Sequence, residues 1–197
     1  MKLDYRKTFL LGFGFLGVSF MWLVYNSYVP VFLQAGNPAF DQTQGATTVG
    51  FGLSAAVAGF IMTLDDIAAF FIQPVVGLLS DKTRTRIGRR MPYILACVPV
   101  AVLTFALIPV AVNQIPAELS GQAGQLGGQL AFFMLVIGAF LLFMAAFRTP
   151  VITLMPDITP SPLRSKANGV INLMGGVGAL LAIGCMWFVT RGEARSA

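Results

Sequence analysis

Five long apolar segments alternate with short polar segments along the 197-residue chain. A helix needs about 20 apolar residues to cross a bilayer, because the hydrocarbon core is roughly 30 Å thick and a helix rises about 1.5 Å per residue. Each of the five segments reaches this length. The pattern therefore predicts five transmembrane helices, over residues 9–33, 49–72, 91–112, 130–154 and 167–189.

The composition agrees with an all-α, multi-pass integral membrane protein. Hydrophobic residues make up 56% of the chain and charged residues 11%, with a mean hydropathy of +0.78. Soluble domains carry about 25% charged residues, so this chain has too few to cover a water-exposed surface. We therefore expect membrane lipid as a partner. The net charge of +5 then reflects which side of the membrane the basic residues face, and we expect no nucleic-acid partner.

Two residue types limit the chemistry of the chain. There is no histidine, which excludes histidine-based metal sites, catalytic triads and proton switches. The two cysteines, Cys97 and Cys185, lie within apolar segments. We expect them to be small core residues rather than a disulfide or a metal-binding pair.

The basic residues predict the orientation of the chain. If each segment crosses once, ten of them fall on one side and none lies in the two intervening loops; the ten are Lys2, Arg6, Lys7, Lys82, Arg84, Arg86, Arg89, Arg90, Arg164 and Lys166. By the positive-inside rule, the N-terminus and the loop after the second segment are cytoplasmic, in a plasma or inner membrane. Arg191 and Arg195 would then lie outside. This discord and the odd number of spans lead us to expect that the chain stops short of a natural end.

Three charged residues lie within the apolar segments: Asp65, Asp66 and Arg148. An isolated charge inside a bilayer costs about 2.5–3.5 kcal/mol on insertion scales, so we expect Arg148 to pair with one of the aspartates. The pair is either a static bridge between helices or a carboxylate that gains and loses a proton as a cavity changes sides. Neighbouring residues on a helix point about 100° apart, so only one aspartate can face a cavity squarely.

The same geometry argues against an enzyme. Two adjacent carboxylates on one helix cannot converge on one water molecule, as an aspartate protease dyad requires. We therefore expect a transporter or, as an alternative, a non-transporting membrane subunit.

The first segment carries polar and aromatic residues in its second half, among them Trp22, Tyr25 and Asn26. They form either an aromatic belt at the membrane interface or the wall of a water-filled cavity that contacts a polyhydroxyl ligand. Asn172 in the fifth segment is a further candidate for substrate contact. The small residues around it, such as Gly175, Gly176, Gly178 and Gly184, predict close helix packing.

The basic segment 77–90 resembles the loop between the second and third helices of the major facilitator superfamily. That loop has the pattern Gly-x-x-x-Asp-Arg/Lys followed by Gly-Arg-Arg/Lys, occupied here by Gly77, Asp81, Lys82, Gly88, Arg89 and Arg90. A longer match runs from Gln73-Pro74 to Pro92, and a second runs from Arg148-Thr149-Pro150 through Met155-Pro156-Asp157 to Gly169. Both are similar to the sucrose and maltose symporters related to the glycoside–pentoside–hexuronide:cation symporters.

This resemblance implies a twelve-helix transporter of two six-helix halves that binds substrate midway and works by alternating access. The chain would be its N-terminal half, with the C-terminal half absent or supplied by a partner subunit. The resemblance also implies a cytoplasmic gate, to which we assign Gln73, Gly77, Asp81, Lys82, Arg84, Arg86, Gly88, Arg89, Arg90 and Asp157.

Two departures from the family pattern refine the expected function. The melibiose-type branch has cation-binding acids just before the proline, where this chain has Phe71-Ile72-Gln73, so a proton is expected as coupling ion rather than sodium, with no other cofactor. The fourth-helix arginine of plant sucrose carriers falls at Ile152, and we assign its role to Arg148, one turn earlier. The sequence thus predicts proton-coupled uptake of a disaccharide or glycoside. The alternative within the superfamily is a drug or organic-ion exporter.

Overall fold

The computed structural model describes residues 5–44 and 48–196, apart from the side chains of Gln44, Asp65 and residues 189–196. This part of the chain is helical and contains no strand. Single turns of 3₁₀ helix precede α5 and α6, at Ala117–Leu119 and Ser161–Leu163. The helices are α1 (Tyr5–Gln34), α2 (Pro38–Gln44), α3 (Ala55–Lys82), α4 (Met91–Val112), α5 (Gly127–Ile158) and α6 (Arg164–Ser196).

The five predicted transmembrane helices are confirmed as α1, α3, α4, α5 and α6, each long and apolar enough to cross a bilayer. The bounds of α4 coincide with the prediction. Helices α1, α5 and α6 extend a few residues beyond it at one or both ends. The predicted polar loop after the first segment contains a short helix, α2, that the hydrophobic pattern missed.

The predicted bounds of the second helix were wrong at both ends. Helix α3 begins at Ala55 rather than at residue 49, because Ser54 is its N-cap and accepts a hydrogen bond from the Val57 N–H at 3.4 Å. It continues past residue 72 to Lys82, so residues 77–82 of the predicted basic loop are helical. Pro74 lies inside the helix and does not end it.

Helices α1, α4 and α5 also contain internal prolines, among them Pro150 and Pro156 of α5. Prolines are tolerated within transmembrane helices because neighbouring groups satisfy the backbone carbonyl that the proline frees. A proline is therefore a poor marker of a helix end in such a chain.

The chain divides into two compact units, the first formed by Met1–Asn26 and Arg148–Ala197 and the second by Ser27–Phe147. In the first unit, α6 packs closely against α1 at Gly178, where a Cβ atom would collide with the backbone of Leu16. The predicted role of small residues is thus confirmed at Gly178. At Gly176 and Gly184 a Cβ would meet nothing within 4 Å in the part of the chain that is described, so close packing at these two positions stays a prediction.

The second unit has an aromatic core. Phe51 packs against Phe133 with ring centroids 5.2 Å apart, and Phe105 packs against Phe140 at 5.4 Å. Phe51, Phe133 and Phe140 are fully buried, so the first pair packs the segment before α3 against α5 and the second packs α4 against α5.

The cysteines do not belong to either core. Both are free thiols, Cys97 being half-buried and Cys185 exposed. The expectation that both would be core residues was therefore wrong, because each lies on a less covered side of its helix.

Helix α3 has two distinct sides. Seven of its nine exposed large apolar residues recur every three or four positions and form one stripe, which consists of Val57, Phe60, Leu64, Ile67, Phe71, Val75 and Leu78; Phe70 and Leu79 lie outside this stripe. Asp66 is nine positions from both Val57 and Val75, which at about 100° per residue places it on the opposite side of the helix. Gln73 and Ser80 follow Asp66 at intervals of seven and continue this polar stripe.

Candidate transport site

The aromatic and polar residues of α1 form a compact group in the first unit. The rings of Trp22 and Tyr25 stack with centroids 5.8 Å apart, and the side-chain amide of Asn26 donates a hydrogen bond to the Trp22 carbonyl at 2.9 Å. Tyr25 is only 1% exposed, whereas Asn26 is exposed. The burial of Tyr25 places it in the protein interior, which does not fit a lipid-facing aromatic belt.

Arg148 of α5 lies against this group. Its guanidinium carbon is 5.8 Å from the centroid of the Trp22 ring, within the range of a cation–π interaction. The next residue, Thr149, has a buried hydroxyl with no hydrogen-bond partner among the described residues. A guanidinium has five N–H donors in a fixed plane, and the ring contact covers one face of that plane while leaving its edges able to donate.

The aspartates of α3 belong to the second unit. Asp66 is exposed, on the side of α3 opposite the apolar stripe. The side chain of Asp65 lies outside the described residues. The predicted pairing of Arg148 with one aspartate joins residues of the two units and stays a prediction.

Asn172 is exposed on α6, next in sequence to Ile171, which is fully buried. Adjacent residues of a helix point about 100° apart, so the side chain of Asn172 points away from the packed side of α6, which contains Ile171. Its assignment as a substrate contact also stays a prediction.

Asp81 and Arg90 form the centre of the predicted gate. The Arg90 guanidinium binds the Asp81 carboxylate at 3.2 Å, with the Arg90 side chain 9% exposed and that of Asp81 55% exposed. Asp81 lies in the last turn of α3, and Arg90 is the N-cap residue of α4. The ion pair therefore joins the two ends of the connecting loop.

A hydrogen bond reinforces this connection. The hydroxyls of Thr83 and Tyr93 lie 2.8 Å apart, and Thr83 also ends α3, because its backbone N–H and its hydroxyl both donate to the Leu79 carbonyl. The remaining gate residues differ in exposure: Gln73 and Gly77 are half-buried, and Lys82, Arg84, Arg86, Gly88 and Arg89 are exposed.

The last predicted gate residue, Asp157, is exposed near the end of α5. The structure also gives a role to Arg164, which the sequence indicated only as one of the basic residues on the cytoplasmic side. The Arg164 guanidinium donates to the Pro156 carbonyl at 3.2 Å and to the Thr159 carbonyl at 3.4 Å. Arg164 thus satisfies carbonyl groups at the C-terminal end of α5, a function typical of basic residues at that position.

Sequence reasoning also missed a junction at the other end of α3. Gly36, Gly52 and Gly121 all have positive φ angles, and their backbones are in contact with one another. We call this group the glycine junction. A cluster of glycines in separate polar loops was the available signal, but their contact depends on tertiary structure.

The sequence profile of the family described as MFS/sugar transport protein matches residues 10–197. An uncharacterized symporter of Synechocystis sp. is 32% identical over 55% of this chain and 19% of its own length. A sucrose transport protein of Arabidopsis thaliana is 27% identical over 84% of this chain and 26% of its own length. The human proton-associated sugar transporter A is 30% identical over 53% of this chain and 12% of its own length.

The chain therefore spans about a quarter or less of the length of these relatives. No solved structure matches it. The family match covers nearly the whole chain and agrees with five apolar helices and with the motif around Asp81 and Arg90. The chain is a member of the MFS/sugar transport protein family, within the major facilitator superfamily.

Proposed function

We propose that the protein to which this chain contributes takes up a sugar together with protons by alternating access. The observation that carries this proposal is the guanidinium of Arg148, held 5.8 Å from the Trp22 ring centroid beside Tyr25 and Asn26. The sugar would be a disaccharide or a glycoside. A C-terminal half, or a partner subunit, would complete the cavity.

The chemistry of this group suits a polyhydroxyl ligand. The planar N–H donors of Arg148 can bind several hydroxyl oxygens at once, and the Trp22 ring offers an apolar face for the C–H groups of a sugar ring. The buried Thr149 hydroxyl adds a group that can accept and donate. The Arabidopsis and human relatives are named as a sucrose transport protein and a sugar transporter, which supports the same substrate class.

Asp66 is the stronger candidate for the proton-binding carboxylate. It is exposed on the polar side of α3, as a group lining a water-filled cavity should be, and ionisable residues in membrane spans are as a rule functional. A proton is favoured over sodium because one carboxylate suffices to bind it. The name of the human relative is consistent with proton coupling.

The test is uptake of radiolabelled sucrose and maltose by proteoliposomes that contain the full-length protein, with and without an inward proton gradient. We expect accumulation that depends on the gradient and alkalinisation of the medium when sugar is added. Sugar uptake that ignores the gradient would contradict proton coupling. Efflux of drugs or organic cations without sugar uptake would favour an exporter instead.

Three variants separate the roles. Arg148→Gln should reduce sugar binding about 100-fold, whereas Arg148→Lys should retain part of it, because a charge remains without the planar donors. Asp66→Asn should abolish accumulation but preserve sugar exchange at equal concentrations, because exchange needs no net proton movement. Arg6→Gln, which removes an exposed charge of α1, is the matched control and should leave transport unchanged.

A further inference from the structure

The loop between α3 and α4 contains a tight turn whose corner is both basic and apolar. The Gly88 N–H donates to the Thr85 carbonyl at 3.1 Å, and the Thr85 hydroxyl donates to the Gly88 carbonyl at 2.6 Å. These two bonds close the turn at its base. Arg86 and Ile87 occupy the two corner positions between them.

Both corner residues are exposed. Ile87 is 62% exposed, Arg86 beside it is exposed, and so is Arg84 just before the turn. Ile87 thus follows two exposed cations and lies outside the buried core of the described chain. Next to a membrane, an apolar side chain beside cations can enter the headgroup boundary while the cations contact anionic groups.

Lys82 extends this basic region onto α3. It lies four residues after Leu78 and seven after Val75, so it continues the apolar stripe of α3 along the same side of the helix. An apolar stripe on a transmembrane helix faces hydrocarbon, and the first cation after it marks the level of the headgroups. We therefore expect Lys82 to lie where the apolar side of α3 meets the membrane surface.

The local acid does not neutralise these cations. Asp81 is the single acidic residue between positions 67 and 117, and its carboxylate is bound to Arg90 at 3.2 Å. Lys82, Arg84 and Arg86 thus form an exposed positive surface beside Ile87. We call these four residues the basic turn.

We propose that the basic turn binds an anionic phospholipid. Lys82, Arg84 and Arg86 contact the phosphate and the anionic headgroup, and Ile87 inserts among the upper acyl carbons. The occupant is a lipid rather than a soluble phosphate because only a lipid presents a phosphate next to hydrocarbon, matching cations next to Ile87 and the α3 stripe. This contact does not involve the Asp81–Arg90 ion pair, although Lys82, Arg84 and Arg86 are also residues of the predicted gate.

The first test is native mass spectrometry of the full-length protein in detergent, titrated with phosphatidylglycerol and, for comparison, phosphatidylcholine. Juxtamembrane basic residues each contribute roughly 1 kcal/mol to anionic-lipid binding, so Arg84→Gln/Arg86→Gln should weaken phosphatidylglycerol binding about 30-fold. The matched control is Arg6→Gln/Lys166→Gln, which removes two exposed charges outside the basic turn. It should change the affinity less than about twofold.

Two arms identify the ligand. Glycerol 3-phosphate at the same concentration should not displace phosphatidylglycerol, and phosphatidylcholine should bind more weakly than phosphatidylglycerol. Equal displacement by glycerol 3-phosphate would show a soluble-phosphate site and overturn the proposal. An unchanged phosphatidylglycerol affinity in Arg84→Gln/Arg86→Gln would also overturn it.

A second measurement tests insertion without removing charge. In Ile87→Trp, the new fluorophore should be quenched by brominated phosphatidylglycerol more than by brominated phosphatidylcholine, after subtraction of the signal of Trp22 and Trp187 in the unsubstituted protein. Quenching no greater than in the unsubstituted protein would contradict insertion of this residue.

Discussion

The two ends of α3 are joined to the rest of the second unit by different means. Before the helix, bonds between backbone groups predominate: the N–H groups of Phe51, Gly52 and Leu53 donate to carbonyls at and just after the end of α1, at 2.8–3.0 Å. The side chains of Asn37 and Ser120 add hydrogen bonds to the same segment. The Gly121 N–H donates to Gly50 at 3.1 Å. These bonds satisfy carbonyls that the end of a helix leaves unpaired.

After the helix, side chains hold the chain. The Asp81–Arg90 ion pair and the Thr83–Tyr93 hydrogen bond join α3 to α4, whereas the backbone bonds here, such as that from Thr83 to Leu79, stay within one helix end or one turn. Such side-chain contacts can break and form again without moving the backbone far, whereas any change at the glycine junction would move backbone atoms that are in close contact. The comparison suggests that the junction end is rigid and that the charged end is the one able to change.

Gly121→Ala tests the rigid end and should have the largest effect. Gly121 has φ +84°, and an added Cβ atom would collide with the Gly36 carbonyl. A left-handed alanine together with a backbone clash should lower the free energy of unfolding by about 2–4 kcal/mol. Chemical unfolding in detergent measures this change.

Gly124→Ala is the matched control, because a Cβ there meets nothing within 4 Å in the described part of the chain. It should be neutral within about 0.5 kcal/mol. Equal stability of the two variants would mean that the junction is not the rigid end.

Asp81→Asn tests the charged end and should have a smaller effect on stability. Asp81 is more than half exposed, so water limits the contribution of its ion pair to about 1 kcal/mol. The exchange Asp81→Arg/Arg90→Asp should recover part of the loss in a double-mutant cycle. Glu118→Gln, an exposed acid in a different loop, should show no loss.

Tyr93→Phe removes the hydrogen bond to Thr83 and leaves the ring in place. The bond is partly buried and neutral, so the expected loss of stability is about 0.5 kcal/mol. Thermal unfolding of Tyr93→Phe, Thr83→Val and the double variant isolates the pairwise contribution. Additive losses would indicate that the two hydroxyls do not interact.

Arg84→Gln should have the smallest effect on folding. Its side chain is exposed, and surface substitutions of this kind stay within about 0.5 kcal/mol. If the basic turn binds lipid, the same substitution should still lower phosphatidylglycerol affinity. A large loss of stability in detergent without lipid would show that the charged end is more rigid than the comparison suggests.

The sequence alone predicted the bounds of a helix correctly where an apolar segment has polar residues at both ends. Helix α4 was predicted with its observed bounds because it carries no charge and polar residues flank it on both sides. Helix α3 was not, because hydropathy does not represent the N-cap at Ser54, and because the helix continues through Pro74 into the polar residues up to Lys82. The family was accessible from the residues between Gly77 and Arg90, whose pattern is local.

The candidate site was only partly accessible. Trp22 and Arg148 were each singled out by residue type, but their contact joins positions far apart in the chain. The sequence favoured an aspartate as the partner of Arg148, because charge is a stronger signal than an aromatic ring. That pairing stays a prediction, and the ring contact is a finding of the structure.

The sequence by itself determined that the chain is a helical membrane protein of a transporter family, because lipid demands long apolar helices wherever the chain crosses. Tertiary structure decided which residues meet: Arg148 with Trp22, Asp81 with Arg90, and Gly121 with Gly36. The physical reason is that hydrophobicity acts on each segment independently, whereas ring contacts, ion pairs and close backbone packing depend on how the segments fold together.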